Sequence, residues 1–311
     1  MHYPIIIGLP QGSLIGPCGF AVFINDLPKV CKGNITIYAD DCSLIYVAND
    51  DQELRQLITN DLSTVAEWCN VNCLSINLKK THKVCFKTPN QTDTELNIRH
   101  GHNKINQTNS TQFLGVILDE YLVATPHITH LTRKLYQVTG CLRAYKELVN
   151  LSTMRILYNS MFISLLQHGF TFWGITRKTK LNSISLAVNR AVRCIAETKK
   201  SLEGHKKLNT MTLDSLVKRN MMVFGFKEIN SIAPIVVDVK LLDENRAQRA
   251  INTKIMLIPY HKRGREELSL AVQIPGVWNT LPTNIRNCQK LDDFKRKLNL
   301  YLLSEQQQNP S

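Results

Sequence analysis

At 311 residues, with 43% hydrophobic and 20% charged side chains, the chain has the composition of a globular protein with room for two or three packed units, which excludes a disordered polymer. No apolar run reaches the length of a membrane span, and Ile5-Ile6-Ile7 is broken by Gly8 and Pro10; the nine cysteines, an odd number with no C-x-x-C pair, argue for reduced thiols. Together these features predict an intracellular protein, nuclear or cytoplasmic and not secreted, without a membrane partner. The net charge of +13 is unevenly placed: residues 1–124 carry 9 Lys+Arg against 12 Asp+Glu, and residues 125–311 carry 29 against 13, so the second part is expected to meet a polyanion such as nucleic acid.

In chain order, the first part reads as mixed α/β. After the turn-forming Gly8-Leu9-Pro10-Gln11-Gly12-Ser13, Ser13 is placed to cap a helix that Pro17 enters near its first turn and Pro28 stops. The β-branched and aromatic runs Asn34–Ala39 and Cys42–Val47 predict a hairpin with Asp40-Asp41 at its tip. Asp50 with Glu53 three residues on forms a capping box, and Leu54, Ile58, Leu62, Val65 and Trp68 continue at helical spacing to about Val71. Lys83–Lys87, Glu95–Arg99 and Thr111–Leu118 read as strands separated by turn-rich stretches.

Beyond Pro126 the pattern becomes helical. His127–Val149, Ser152–Gln167 with Ser152 as cap, Leu181–Glu197 and Leu213–Ile229 each place apolar residues three to four apart with basic residues between them. Trp173 is expected in the core. Residues 231–287 carry little pattern, Leu291–Leu303 predicts a closing helix, and Ser304–Ser311 reads as a frayed polar tail. His127 and His130, three residues apart, have no carboxylate or cysteine nearby in sequence to make a metal site. His261-Lys262-Arg263-Gly264-Arg265 reads as a solvated basic loop.

Four blocks carry chemistry together: Gly8–Ser13, Tyr38-Ala39-Asp40-Asp41, Leu74-Ser75-Ile76-Asn77-Leu78-Lys79-Lys80-Thr81, and Phe113-Leu114-Gly115. Two adjacent carboxylates at a hairpin tip can offer one oxygen ligand to each of two divalent cations, the requirement of nucleotidyl transfer. In this order and spacing the blocks resemble the reverse-transcriptase domain of non-LTR, LINE-type retrotransposons, and within it the jockey-like elements; Trp278-Asn279-Thr280-Leu281-Pro282 resembles the ends of such elements.

The resemblance implies an α+β fold in three parts: a partial palm over 1–124 (an antiparallel sheet with packed helices), a basic helical thumb-like region over 125–230, and a C-terminal region over 231–311. It implies an RNA-directed DNA polymerase, with an RNA template, a DNA primer and deoxynucleotides as partners and two Mg²⁺ ions as cofactors. Asp40 and Asp41 would be the catalytic metal ligands, and Lys80 would neutralise the leaving pyrophosphate. Pro10, Gln11, Gly12, Ser13 and Tyr38 would touch the template and nucleotide, with Phe113, Leu114 and Gly115 as the primer grip. Arg133, Lys134, Arg143, Lys146, Arg177, Lys178, Lys180, Arg190 and Arg193 would follow the nucleic-acid backbone.

The block that supplies the family's other essential aspartate, on an F-x-x-A-F-D type strand, is not found ahead of Gly8 or later in the chain. The expectation is therefore a chain whose two-metal site is incomplete and which lacks an N-terminal polymerase portion, so that it does not catalyse by itself. The other reading is a catalytically silent nucleic-acid-binding remnant or adapted protein.

Overall fold

The computed structural model describes residues 12–91, 95–232, 237, 239–241, 254–261, 264 and 266–308, and the chain divides into two compact units, one of Met1–Thr111 with Asp119–Tyr121 and the other of Gln112–Leu118 with Leu122–Ser311. Helices and small sheets together make the fold α+β.

In the first unit the order is a helix Ile15–Ile24, a short helix Leu27–Val30, strands β1 (Asn34–Tyr38) and β2 (Asp41–Ile45), and a long helix Asp51–Val71. Ser13 Oγ accepts the Gly16 amide at 3.1 Å, which supports the start of the first helix. That helix ends at Ile24, before Pro28. Pro28 instead occupies the first turn of the next short helix, where its missing N–H costs nothing.

The capping box forms at the head of the long helix. Asp50 Oδ1 accepts the Glu53 amide at 2.8 Å, and the Glu53 carboxylate reaches back to the Asn49 amide at 3.0 Å, one residue further than the standard box. The helix packs along two sides. Val65, Trp68 and Cys69 join a cluster with Phe20, Ile24, Leu27, Ile35 and Ile37; Leu54, Ile58 and Leu62 join a second cluster with Leu96, Ile98 and Ile105.

The strands expected over Lys83–Lys87 and Glu95–Arg99 do not form as such. Only two-residue pairs are present, His82–Lys83 beside Asn106–Gln107 in parallel and Arg99–His100 against Asn103–Lys104. Leu96 and Ile98 are buried by alternation as a strand would bury them, yet backbone pairing begins only at the Ile98 carbonyl, which accepts the Ile105 amide at 3.0 Å, and runs on into Arg99–His100. Alternation predicted burial correctly and strand pairing only at the segment's end. Thr111–Leu118 proves to be a hairpin rather than one strand: Ser110–Phe113 pairs with Val116–Asp119.

The second unit is helical around one large core. Thr125–Tyr145 packs on Lys178–Ala196, where Ile184, Ala187, Val188 and Ala191 are inaccessible and the small alanines let the helices approach closely. Asn150, not Ser152, caps the helix that starts at Leu151: its Oδ1 accepts the Thr153 amide at 2.9 Å, and Ser152 Oγ donates to the same oxygen at 2.6 Å. That helix widens into a π-turn over Tyr158–Ile163 before continuing to Gln167. Trp173 is buried as expected.

Trp278 and Asn279 have a structural task. Trp278 Nε1 donates to the Lys254 carbonyl at 2.7 Å, and the Asn279 amide exchanges bonds of 3.0 and 2.9 Å with the Met256 backbone, pinning that segment to the core. The expected frayed tail is instead helical to Gln308, since Gln306 Oε1 accepts the Thr212 amide at 2.8 Å and Glu305 pairs with Lys218 at 3.2 Å. Residues 309–311 lie outside the described set.

His205 is buried in this core, its Nδ1 against the Thr210 hydroxyl at 3.1 Å and its Nε2 without a partner among the described residues. Burial pushes its pKa down to about 4 from an ordinary 6.5. Above pH 6.5 folded and unfolded chains both hold it neutral. Between 6.5 and 4 the unfolded chain takes up a proton that the folded chain refuses, so stability falls with pH, by about 3 kcal/mol over the full window. Denaturant unfolding of the second unit at pH 7 and pH 4 is expected to show that loss, and His205→Gln to flatten it.

Candidate functional site

The acidic hairpin is held from below by a residue outside every sequence block. Asp61, on the long helix, is buried, and its Oδ2 accepts three hydrogen bonds: Lys32 N at 2.9 Å, Gly33 N at 2.8 Å and the Tyr46 hydroxyl at 3.1 Å. These donors stand at the entrance to β1 and just past the end of β2, so one carboxylate ties both open ends of the hairpin to the helix. Desolvation, and then the charge and hydrogen bond of Asp61, push the Tyr46 phenol well above its ordinary range. A Cβ at Gly33 would overlap the Tyr46 ring. Only its burial on an otherwise amphipathic helix signals its role.

At the other end of the hairpin, β1 and β2 pair in antiparallel register from Asn34↔Ile45 to Tyr38↔Asp41, leaving Ala39-Asp40 as a two-residue turn. Ala39 sits at φ 52°, a left-handed backbone costly for a residue with a Cβ. Asp40 and Asp41 are both exposed at this tip. Two positions apart, Tyr38 and Asp40 would share a face on a continuous strand. The register sets Tyr38 opposite Asp41 instead, 64% exposed, because Asp40 belongs to the turn and not to the ladder.

Of the first block, Gly8, Leu9, Pro10 and Gln11 lie outside the described residues. Gly12 adopts φ +85°, which favours glycine, and Ser13 follows as the amide acceptor described above. Lys80 is exposed in a turn closed by Lys80 N and Thr81 N, both donating to the Asn77 carbonyl at 3.0 Å. That turn is thus closed by backbone bonds, with the Lys80 side chain free of any ion pair among the described residues.

Phe113-Leu114-Gly115 makes the turn of the second hairpin, with φ 45° at Leu114 and 84° at Gly115, both positive as a tight two-residue turn requires. Two histidines not singled out for it hold this turn. His168 Nε2 lies 2.8 Å from the Leu114 carbonyl, and a Cβ on Gly115 would stand 2.8 Å from the same nitrogen. His127, buried, accepts the Ile117 amide on Nδ1 at 3.3 Å; burial first, then His130, His168 and Lys134, lower its pKa.

The basic residues fall mainly on the two packed helices of the second unit. Arg133, Lys134, Arg143, Arg177, Lys178, Lys180, Arg190 and Arg193 are exposed and make no ion pair among the described residues. Arg190 lies over the Tyr136 ring at 5.5 Å. Lys146 departs from expectation: it is bound to Glu197 at 2.7 Å and Glu147 at 3.1 Å, so its charge is already answered within the protein.

Residues 2–118 match the family model "Reverse transcriptase (RNA-dependent DNA polymerase)", and the acidic hairpin, the Asn77 turn and the start of the Phe113 hairpin lie within that span. This segment belongs to the reverse-transcriptase family. The reverse-transcriptase relatives are of the non-LTR kind. "Probable RNA-directed DNA polymerase from transposon BS" of Drosophila melanogaster is 31% identical over 227 residues, 68% of this chain and 25% of its own length. "RNA-directed DNA polymerase from mobile element jockey" of the same organism is 26% identical over 204 residues, 62% of this chain and 22% of its own length. "Retrovirus-related Pol polyprotein from type-1 retrotransposable element R1" of Bradysia coprophila is 27% identical over 194 residues, 60% of this chain and 19% of its own length. The chain thus spans a quarter or less of these curated relatives. No solved structure matches it.

The Asp61 clamp makes a direct prediction about the reverse-transcriptase segment. Asp61→Ala leaves two part-buried amides and a phenol without their acceptor and is expected to destabilise the first unit by about 3 kcal/mol, while Tyr46→Phe removes one neutral donor and costs about 1 kcal/mol. Denaturant unfolding followed by Trp68 fluorescence reads both.

Proposed function

We propose that this chain carries the carboxylate hairpin and the duplex-holding helices of an RNA-directed DNA polymerase of the non-LTR retrotransposon type. One observation supports this above the others: Asp40 and Asp41 are presented to solvent at the tip of a hairpin whose other end is clamped to a helix, inside the segment that matches the reverse-transcriptase model. In this reading the first unit is a partial palm and the second a thumb-like region. The template is RNA, the primer DNA and the substrates deoxynucleotides, acting inside the cell.

The fit to a two-metal site is half complete. Asp40 and Asp41 would each offer an oxygen to Mg²⁺, but no group of three possible ligands exists among the described residues, and the resemblance places the second carboxylate on a strand that this sequence does not contain. Bound Mg²⁺ would supply charge neutralisation for phosphoryl transfer. What the chain's own residues do is hold two carboxylates at a fixed tip, present Gly12 backbone and Ser13 ahead of it, and offer Lys80 as a mobile cation for a leaving phosphate.

A second reading, a nucleic-acid-binding protein without catalysis, is favoured by the eight unpaired cations on the helical unit. The two readings separate on Asp40. Joined to the preceding portion of the transposon BS polymerase, the chain is expected to extend a DNA primer on RNA, and Asp40→Ala to abolish extension with duplex affinity unchanged. Loss of Mn²⁺-induced relaxation enhancement in Asp40→Asn/Asp41→Asn of the chain alone reads metal binding independently of activity. Extension that survives Asp40→Ala, or Mn²⁺ binding indifferent to both substitutions, overturns the polymerase reading.

Backbone binding has its own signature. Duplex affinity is expected to fall steeply with salt, and Arg133→Ala with Lys134→Ala to lower the slope of log K against log salt by about 2, uniformly across sequences.

A further inference from the structure

The second unit contains a cavity of about 590 Å³ between the π-turn helix, the segment Asn209–Met211, the Leu213–Ile229 helix and the closing helix. That volume is in the range of small-molecule sites. Neither the sequence blocks nor the matched segment reaches it.

Its chemistry is unusual for a gap between helices. Arg219, half-buried, donates Nε to Asn299 Oδ1 at 2.7 Å and Nη1 to Asn220 Oδ1 at 3.2 Å. Both partners are neutral amides, and no carboxylate pairs with this guanidinium among the described residues, although the fold pairs Lys218 and Arg296 close by with Glu305 and Asp293. Desolvation alone lowers its pKa, with no neighbouring carboxylate to oppose it. A partly buried cation left without a counter-charge is costly unless an anion answers it.

Around it stand side-chain amides that have no partner among the described residues: Asn159, Gln167 and Asn209. Asn159 and Gln167 lie on one helix with Ile163 midway between, four residues apart each time, and the π-turn covers the first of these steps. Such turns recur where a helix face has been widened for a ligand. The rest of the lining is apolar, including Met211, Leu216 and Leu303. An unanswered guanidinium, donor–acceptor amides and an apolar floor are the three demands of a phosphate joined to a flat, hydrogen-bonding ring.

We propose that this cavity seats one nucleotide unit, its phosphate on the free edge of Arg219 and its base against the apolar floor with Asn159, Gln167 and Asn209 along the base edge. The ligand is an unpaired nucleotide, either within a single strand or free in solution. It is a site separate from the acidic hairpin and does not depend on the polymerase reading.

Fluorescence anisotropy with a short single-stranded oligonucleotide, competed by nucleoside 5′-monophosphates, by inorganic phosphate and by polyglutamate, tests this. Arg219→Met is expected to weaken the oligonucleotide about tenfold to a hundredfold, with Arg219→Lys intermediate; Asn159→Ala, at an exposed position, is expected to change the preference among the four bases about fivefold. Duplex binding is expected to remain unchanged in all three. Competition by a monophosphate as strong as by the oligonucleotide assigns the site to a free nucleotide, and weaker competition assigns it to a strand. The proposal fails if Asn159→Ala leaves base preference untouched, if inorganic phosphate or polyglutamate competes as well as a nucleotide, or if Arg219→Met lowers duplex and single-strand affinity equally. Thermal melting identifies a misfolded Arg219 variant, in which case Asn159→Ala and Gln167→Ala decide the question.

Discussion

One buried carboxylate sets the geometry of the acidic hairpin. A two-stranded hairpin is marginal in water, and its tip would wander if only its own ladder held it. Asp61 removes that freedom by accepting from the backbone at the entrance to β1 and from Tyr46 beyond the end of β2, fixing both open ends to a helix that is itself wedged between two apolar clusters. A buried carboxyl group is tolerated there because three donors replace its water. The left-handed Ala39 follows from the two-residue turn itself, and with the open end anchored the tip carries Asp40 and Asp41 exposed.

The second unit uses charge in two different ways. On the packed Thr125–Tyr145 and Lys178–Ala196 helices, apolar and small residues face inward and arginines and lysines face out, unpaired, which suits a polyanion followed through its phosphates. Near the closing helix, by contrast, cations are largely answered within the protein, as in Lys218 with Glu305 and Lys297 with Asp293 at 2.9 Å. Arg219 differs, since its partners are amides.

Much of this was legible beforehand where local rules act alone. The Asp50–Glu53 box marked the head of a helix because an Asp can take an orphan amide only there, and the β-branched runs around Asp40-Asp41 marked a hairpin because a two-residue turn needs little else. The readings that failed did so for identifiable reasons. Ser152 lost the cap to Asn150 because the helix already starts at Leu151, which sets Asn150 Oδ1 in reach of the Thr153 N–H. Strand-like Glu95–Arg99 found a neighbouring backbone only at its end, where Ile98 and Arg99 meet Ile105 and Lys104, and the polar tail became helix because Thr212 and Lys218, far off in sequence, supplied it with partners.

The sequence by itself determined the long helices, the acidic turn, the glycine-bearing turn before the first helix and the uneven charge, since each depends on residues within a few positions of one another or on composition alone. It also determined the family, because the blocks are short and ordered. Only the tertiary structure decided that Asp61 clamps the hairpin, that His168 and His127 support the Leu114-Gly115 turn, and that Lys146 is neutralised while Arg219 is not. Those outcomes join residues between 10 and 54 positions apart, or turn on the absence of a partner. Neither periodicity nor composition encodes such pairings; they are set when separate helices and turns pack and each buried polar group must find whatever donor or acceptor the packing brings within reach.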